Sequence, residues 1–176
     1  RRVLFRSVIV AATSAPGLYV YDQTNDTYAR RQQQRPRAFV PTPFFPDNLA
    51  VSRGPQPDTL RIVVAGHPSL KDLEHIVSHP HTQRYAPSWV VEVFYDESIS
   101  YTGDDADVPY PAQKALMNVP NGWHVRTLLQ TNGRSTALLL SSSSSAVWDP
   151  TYAAHGSFYV SGLYEPAPIV CRGMYA

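Results

Sequence analysis

Proline constrains this chain more than any other residue. Sixteen prolines stand among the 176 residues, and they argue against a helical bundle because proline breaks helix interiors. Five of them crowd one short stretch: Pro41, Pro43, Pro46, Pro55 and Pro57. A proline lacks the backbone donor that a central strand requires. We therefore interpret residues 22–58 as an extended arm or loop.

Length and charge bound the class of protein. The length suits one domain with a sizeable core. Lys and Arg number 15 against 14 Asp and Glu, a formal net charge of +1, which excludes a globally basic nucleic-acid binder but not a local basic patch. The lone Cys171 excludes an internal disulfide and a cysteine-based zinc cluster, and we interpret it as a small buried residue. Val8–Ala12 is too short to span a membrane, so no membrane partner is expected.

The first seven residues, Arg-Arg-Val-Leu-Phe-Arg-Ser, have an unusual composition. One nucleotide sequence that encodes this heptapeptide is that of a widely used sequencing-library adapter. We therefore expect residues 1–7 to be an assembly artefact rather than part of the fold. Without Arg1, Arg2 and Arg6 the net charge falls from +1 to −2.

Short apolar or alternating runs predict many strands. They occupy residues 8–12, 18–21, 60–64, 89–95, 123–129, 137–142 and 157–164. Asn132-Gly133 predicts a hairpin turn. Many short strands with few helices and long proline-rich connections predict an all-β fold, namely an antiparallel sandwich or jelly roll.

One or two short helices interrupt this pattern. Apolar residues at helical spacing over residues 70–77, with Ser69 as N-cap, predict a helix, and residues 111–117 predict another. In the first helix His75 and His79 stand at i and i+4, a spacing that can chelate zinc. Ile76 occupies the position where a metalloprotease helix has Glu, and Pro80 ends the helix before His81. This pattern favours partly exposed histidines over a metal site.

An acidic loop follows the strand at 89–95. Asp104, Asp105 and Asp107 stand close together, with Asp96 and Glu97 upstream. Clustered carboxylates suit a calcium ion. The spacing matches no EF-hand, so solvated loop charges are the favoured interpretation.

Arginines supply the main functional lead. Arg30, Arg31, Arg35 and Arg37 lie within eight residues that contain no acidic side chain. Such a segment can neutralise phosphates as a flexible arm on RNA, and it can equally be a solvated loop.

The sequence lacks the common motifs of enzyme active sites. The chain contains no Gly-x-Ser-x-Gly elbow, no phosphate-binding loop and no dinucleotide-binding fingerprint. The abundant serines do not exclude a Ser-His-Asp triad, but no sequence motif identifies its members. We expect no enzyme activity and no cofactor.

Six short motifs together resemble the coat proteins of tymovirus-like plant RNA viruses. They are His67–Leu73, His79-Pro80, Trp89–Tyr95, Pro111-Ala112-Gln113, Val160–Leu163 and Pro168-Ile169. The resemblance covers roughly residues 59–170. It implies a single jelly roll that self-assembles into an icosahedral shell around genomic RNA. It also implies that residues 70–77 are at least partly strand. The arginine-rich segment departs from the family, although other small RNA viruses with jelly-roll coats carry basic arms.

The coat-protein hypothesis also predicts how the chain is divided and where it acts. Residues 8–58 would form an N-terminal segment and arm, and residues 59–176 the jelly-roll body. The chain would act in the virion and, during assembly, in the host cytoplasm. The alternative is a β-sandwich binding module for carbohydrate or protein, with an exposed platform of four aromatic side chains: Trp123, Trp148, Tyr101 and Tyr110.

Overall fold

Strands dominate the described part of the chain. The computed structural model describes residues 7–22, 35–53, 60–79, 85–98, 118–133, 140–149, 157–165 and 167–172. These residues form the elements β1 (Ser7–Ala12), β2 (Gly17–Asp22), β3 (Ala38–Pro41), β4 (Phe45–Arg53), β5 (Leu60–His67), α1 (Leu70–Ser78), β6 (Ser88–Tyr95), β7 (Trp123–Thr131), β8 (Ser143–Trp148), β9 (Phe158–Gly162) and β10 (Ile169–Cys171). The all-β prediction is confirmed.

The ten strands form three antiparallel sheets. We call them the N-terminal sheet (order β1-β2-β3), the central sheet (β4-β5-β6-β7) and the C-terminal sheet (β8-β9-β10). Every pairing among the described strands joins neighbours in sequence. A jelly roll also pairs strands distant in sequence through its Greek keys, and the described residues contain no such pair.

The central sheet is covered on both faces. On one face the N-side core joins Leu18, Val20 and Val40 of the N-terminal sheet to Ile62, Val64, Val91, Val93 and the two tryptophans Trp89 and Trp123. On the other face the C-side core joins Val63, Ala65 and Val90 to Ala146, Trp148, Phe158 and Val160 of the C-terminal sheet. The arrangement is therefore a stack of three layers with two cores.

Strand β5 shows what this layering does to a sequence. The alternation of Leu60, Ile62 and Val64 with Arg61 and Val63 predicts a strand, and β5 confirms it. In the structure Val63 and Ala65 are fully buried as well, on the opposite face. A strand buried on both faces has no polar side to alternate with.

The prediction of an extended arm over residues 22–58 is wrong for residues 38–53. These residues form β3, which pairs with β2, and β4, which pairs with β5. Pro41 ends an edge strand, and Pro46 lies in an edge strand beside a register irregularity between Pro46 and Leu49. Edge strands and bulges are the places in a sheet where proline is tolerated.

Helix α1 is confirmed, and the strand that the family resemblance implied over residues 70–77 is not found. Ser69 is the N-cap, and its hydroxyl accepts a hydrogen bond from the backbone N–H of Asp72. Ile76 is the buried residue of this helix. Within the described ranges no helix is long and apolar enough to cross a membrane. The second predicted helix, 111–117, lies outside the described residues.

The predicted strand over 137–142 is wrong where the structure describes it. Residues 140–142 are not strand, and Ser142 adopts a left-handed conformation with φ 57°. Gly133 is also left-handed, with φ 73°, as a turn at Asn132-Gly133 requires. The next described strand, β8, belongs to a different sheet from β7. Residues 134–139, which follow the turn, lie outside the described residues, so the predicted hairpin is described only as far as Gly133.

Candidate functional site

The outer face of the N-terminal sheet is apolar. Alternation along β1 turns Ile9 and Ala11 toward the N-side core and leaves Val8 and Val10 outward, 48% and 43% exposed. Cross-strand register sets Val8 opposite Tyr21 and Val10 opposite Tyr19. We call the patch formed by these four residues and Phe39 the N-face.

Contacts between aromatic rings connect the side chains of the N-face. The ring of Tyr19 lies 5.0 Å from that of Phe39 and 6.3 Å from that of Tyr21, measured between centroids, and both pairs are tilted. None of the five N-face side chains is charged. Half-buried aromatic and aliphatic side chains without charge are typical of the core of a protein–protein interface.

A second apolar row lies on the outer face of the C-terminal sheet. Val147 and Val170 both stand opposite Tyr159, so the three side chains cross all three strands in line. They are 37–47% exposed. We call this row the C-face. Because the two outer sheets cover opposite faces of the central sheet, the N-face and the C-face lie on opposite sides of the molecule.

A groove of about 490 Å³ adjoins the C-face. Edge strand β4 contributes Asn48, Leu49 and Ala50, while the C-terminal sheet contributes Val147 and Tyr159 among others. The amide of Asn48 donates to the backbone carbonyl of Ser144 at 3.1 Å, which ties the two walls of the groove together.

The predicted RNA-binding arginines are only partly described. Arg30 and Arg31 lie outside the described residues, whereas Arg35 and Arg37 are exposed. Arg37 is 3.4 Å from the carboxylate of Asp22, and its backbone N–H donates to the carbonyl of Val20. Arg37 is thus held at the end of the N-terminal sheet beside an acidic partner.

A Ser-His-Asp arrangement lies at the junction of the central and C-terminal sheets. The imidazole of His67 has its Nδ1 3.4 Å from Ser142 Oγ and its Nε2 3.4 Å from the Asp47 carboxylate. Burial lowers the pKa of His67, and the Asp47 carboxylate opposes that shift. Sequence reasoning missed this trio because its members are far apart in the chain.

The surroundings of this trio do not suit nucleophilic catalysis. Ser142 is 1% exposed, so a substrate has no path to its hydroxyl. The backbone N–H of Ser142 donates to Ala86, and that of Ser143 donates to Ser88 Oγ. An oxyanion hole needs such donors unoccupied and aimed at the reacting oxygen. We interpret the trio as a structural hydrogen-bonded group.

The predicted histidine pair is brought together on α1. The rings of His75 and His79 stack with centroids 4.7 Å apart, and His81 lies outside the described residues. Among the described residues no group of three or more His, Cys, Asp or Glu side chains could hold a metal ion.

The predicted acidic loop is described only at its start. The carboxylate of Asp96 accepts from both the backbone N–H and the hydroxyl of Ser98. These bonds lower the pKa of Asp96. The hydroxyl of Tyr95 donates to Glu97, which raises the pKa of Tyr95. The carboxylates predicted further along, Asp104, Asp105 and Asp107, lie outside the described residues.

One buried charge network was not foreseen from the sequence. Glu92 is 1% exposed in the middle of β6 and contacts Arg61 on β5, at 3.1 Å, and Arg126 on β7. Arg61 also lies over the ring of Trp148. Each of the three is an isolated charge within an apolar strand, and that isolation is the only sequence signal of the network.

The aromatic platform of the alternative function is not assembled. Trp123 is buried in the N-side core and Trp148 in the C-side core. Tyr101 and Tyr110 lie outside the described residues. Cys171 is half-buried rather than buried, and burial raises the pKa of its thiol.

Comparisons with protein-family models, with curated proteins and with solved structures find no match to this chain.

Proposed function

We propose that this chain is a viral coat protein, a subunit that self-assembles into an icosahedral shell and packages genomic RNA. The observation that carries the proposal is the pair of apolar outer faces, the N-face and the C-face, on opposite sides of one subunit. A subunit with contact surfaces on two sides can join two neighbours at once. Closed assemblies arise when such contacts repeat with a fixed rotation.

Multiplicity explains how modest faces could hold a shell. The N-face has five apolar side chains and the C-face three. Either patch alone is small for a stable pairwise interface. In a shell every subunit is held by several neighbours, so weak contacts combine into strong overall attachment.

RNA packaging is the part of the proposal that comes from the sequence. Arg30, Arg31, Arg35 and Arg37 would neutralise phosphates as a basic segment. The jelly-roll connectivity belongs to the same proposal and rests on the family resemblance. The two-faced subunit does not require that connectivity, since three stacked meanders also present two outer faces.

The test uses the full chain and three lysine substitutions. Val10→Lys charges the N-face and Val147→Lys charges the C-face, whereas Val51→Lys is a control at another exposed valine, 52% exposed on edge strand β4. We expect shell particles by electron microscopy for the unaltered chain and the control, and none for either face variant. A persistent monomer that binds no RNA across a range of salt would overturn the proposal.

RNA content is measured separately from assembly. Changing all four arginines to glutamine should leave particles intact but lower their ratio of absorbance at 260 nm to that at 280 nm, because phosphate neutralisation is lost. Particles with unchanged RNA content would contradict the assignment of these arginines.

The groove beside Tyr159 favours a second candidate, a binding module for an extended peptide or glycan. Hydroxyls of Ser145 and Ser161 line it beside apolar side chains, a mixture common in ligand sites. A Tyr159→Ala variant that forms normal particles but loses binding in a glycan or peptide array would favour this function. An array on which the unaltered chain binds nothing would exclude it.

A further inference from the structure

We propose that β1 pairs with β1 of a second copy of this chain, antiparallel across a two-fold axis, to make one continuous six-stranded sheet. The inference rests on the proposed self-association and specifies the contact through which the N-face acts. It commits to a backbone-to-backbone contact, which an apolar patch alone would not require.

The first argument comes from comparing the exposed strand edges. The three described sheets have six edge strands, and five carry a feature that blunts pairing. Strand β3 has four residues and ends in Pro41, and β10 has three residues. Strand β4 contains Pro46 and a register irregularity. Strands β7 and β8 each lie beside a register shift.

Strand β1 is the exception among these edges. Without Ser7, which belongs to the predicted artefact, its five residues still pair with β2 in unbroken register, from Val8 opposite Tyr21 to Ala12 opposite Gly17. It contains no proline, no charge and no bulge. Within the described residues no strand pairs with its other edge. A regular, apolar edge of this length is a ready template for another strand.

The second argument comes from incomplete burial. Ile9 and Ala11 point into the N-side core, yet both are only part-buried. The corresponding residues of the neighbouring strand β2, Leu18 and Val20, are buried almost completely. A strand added beside β1 would cover Ile9 and Ala11 in the same way.

Charge gives the third argument and selects the occupant. Because β1 is uncharged, two copies meet without like charges facing each other. The N-face residues next to it are uncharged too, so joining two sheets would merge two N-faces into one apolar surface. Identical surfaces can pair across a two-fold axis only when they are self-complementary, and this edge satisfies that condition.

Side-chain alternation restricts the register. A one-residue slip would place outward Val10 opposite inward Ile9 and break the shared face. The two central registers that keep the faces continuous set Ile9 opposite Ile9 of the second copy, or Val10 opposite Val10 of the second copy. In the first register Val8 faces Val10 of the second copy.

The decisive measurement is the oligomeric state of the full chain by sedimentation equilibrium, under salt conditions that dissolve shells. We expect a dimer for the unaltered chain and for the Val147→Lys and Val51→Lys variants. Val10→Lys should raise the dimer dissociation constant at least about tenfold, because the two lysines lie on one face of the joined sheet. They are directly opposed in the register centred on Val10 and diagonal neighbours in the register centred on Ile9. A Val10→Lys dimer as tight as the unaltered one would overturn the pairing.

The outcomes separate this inference from the coat proposal. Particles that form normally with Val10→Lys would overturn the β1 contact and would also exclude the N-face as a shell contact, although the chain would still assemble. A dimer that depends on Val10, from a chain that forms no particles, would support the β1 contact and overturn the coat proposal. A chain that is monomeric at every concentration overturns both.

Cross-linking gives a readout that does not depend on a charged variant folding. In a Cys171→Ser background, oxidised Val10→Cys should form a covalent dimer in the register centred on Val10. A mixture of Val8→Cys and Val10→Cys should form one in the register centred on Ile9, since directly opposed side chains lie within reach of a disulfide. Absence of both cross-linked species contradicts the inference.

Discussion

The two faces of the central sheet are stabilised in different ways. The N-side core is built from aliphatic side chains, Phe44 and two tryptophans, without a buried charge among its described residues. The C-side face has an apolar centre as well, but polar groups surround it: the Arg61–Glu92–Arg126 network, the His67 group and the hydroxyl of Ser143. Ser143 Oγ donates to the carbonyl of Gly66, and its backbone N–H donates to Ser88 Oγ.

The difference teaches how one sheet can serve two partners. Apolar burial is strong but non-directional, so it attaches the N-terminal sheet without fixing its orientation closely. Buried hydrogen bonds and ion pairs are directional, and leaving one unmade is costly. The hydrogen bonds of Ser143 to Gly66 and Ser88 therefore hold β8 in one orientation on the central sheet, whereas the Arg61–Glu92–Arg126 ion pairs join strands within the central sheet.

The largest expected effect is on the apolar side. Trp89→Ala should lower the free energy of unfolding by about 3–5 kcal/mol, since it removes a large core side chain and leaves a cavity. It also removes the 3.1 Å hydrogen bond from Trp89 Nε1 to Thr127 Oγ1. Urea denaturation measures the loss. Trp89→Phe should recover most of it, and equal losses for both variants would contradict a packing role.

The next effect tests the polar side. Glu92→Gln should cost about 2–3 kcal/mol, because it leaves two arginines without their carboxylate. The cost stays below that of a fully buried pair because Arg126 is 43% exposed at its side chain and can turn to water. Glu74→Gln, at an exposed carboxylate of α1, should change stability by less than about 0.5 kcal/mol. A Glu92→Gln variant as stable as that control would mean that the network does not stabilise the central sheet.

The smallest effect concerns pH. Burial holds the pKa of His67 in the folded protein below the ordinary value of 6.5. Above that value the imidazole is neutral in both states. As the pH falls below it, the unfolded chain takes up the proton first and stability falls, until the folded-state pKa is passed as well. Thermal unfolding between about pH 7.5 and 5 should therefore show a smaller loss for His67→Gln than for the unaltered chain.

The matched control for the pH experiment is His79→Gln, at an exposed histidine of α1. It should follow the unaltered chain across the pH range. A His67→Gln variant with the same pH dependence as the unaltered chain would show that the His67 group does not sense acid. The evidence that polar groups stabilise the C-side face would then come from Glu92→Gln alone.

Local signals were sufficient for much of the secondary structure. Ser69 and the apolar spacing that follows predicted α1, because capping and periodicity act within a few residues. The run 89–95 predicted β6 for the same reason. The sequence did not predict strands β3 and β4, because their prolines are excluded from central strands but tolerated in edge strands. Whether a strand lies at an edge is a property of the whole sheet, which the local sequence does not specify.

The candidate surfaces depend on cross-strand register, so the sequence predicted neither the N-face nor the C-face. The N-face exists because Val10 stands opposite Tyr19 and Tyr19 opposite Phe39, and these three residues belong to three separate strands. The same holds for Glu92 and its arginines on three strands. Burial of the tryptophans was equally a matter of layering, and it removed the platform that their sequence positions had suggested.

The central sheet lies between two layers, and this has a consequence for synthesis of the chain. The N-terminal sheet emerges first, but the surface that covers its inner face is built from β4–β7, which ends at Thr131. Until then Leu18, Val20 and Val40 have no core to enter. A nascent chain therefore carries the apolar inner face of the N-terminal sheet exposed while residues 42–131 are translated, and such exposure promotes aggregation. Early self-contact through this hairpin competes directly with correct docking onto the central sheet.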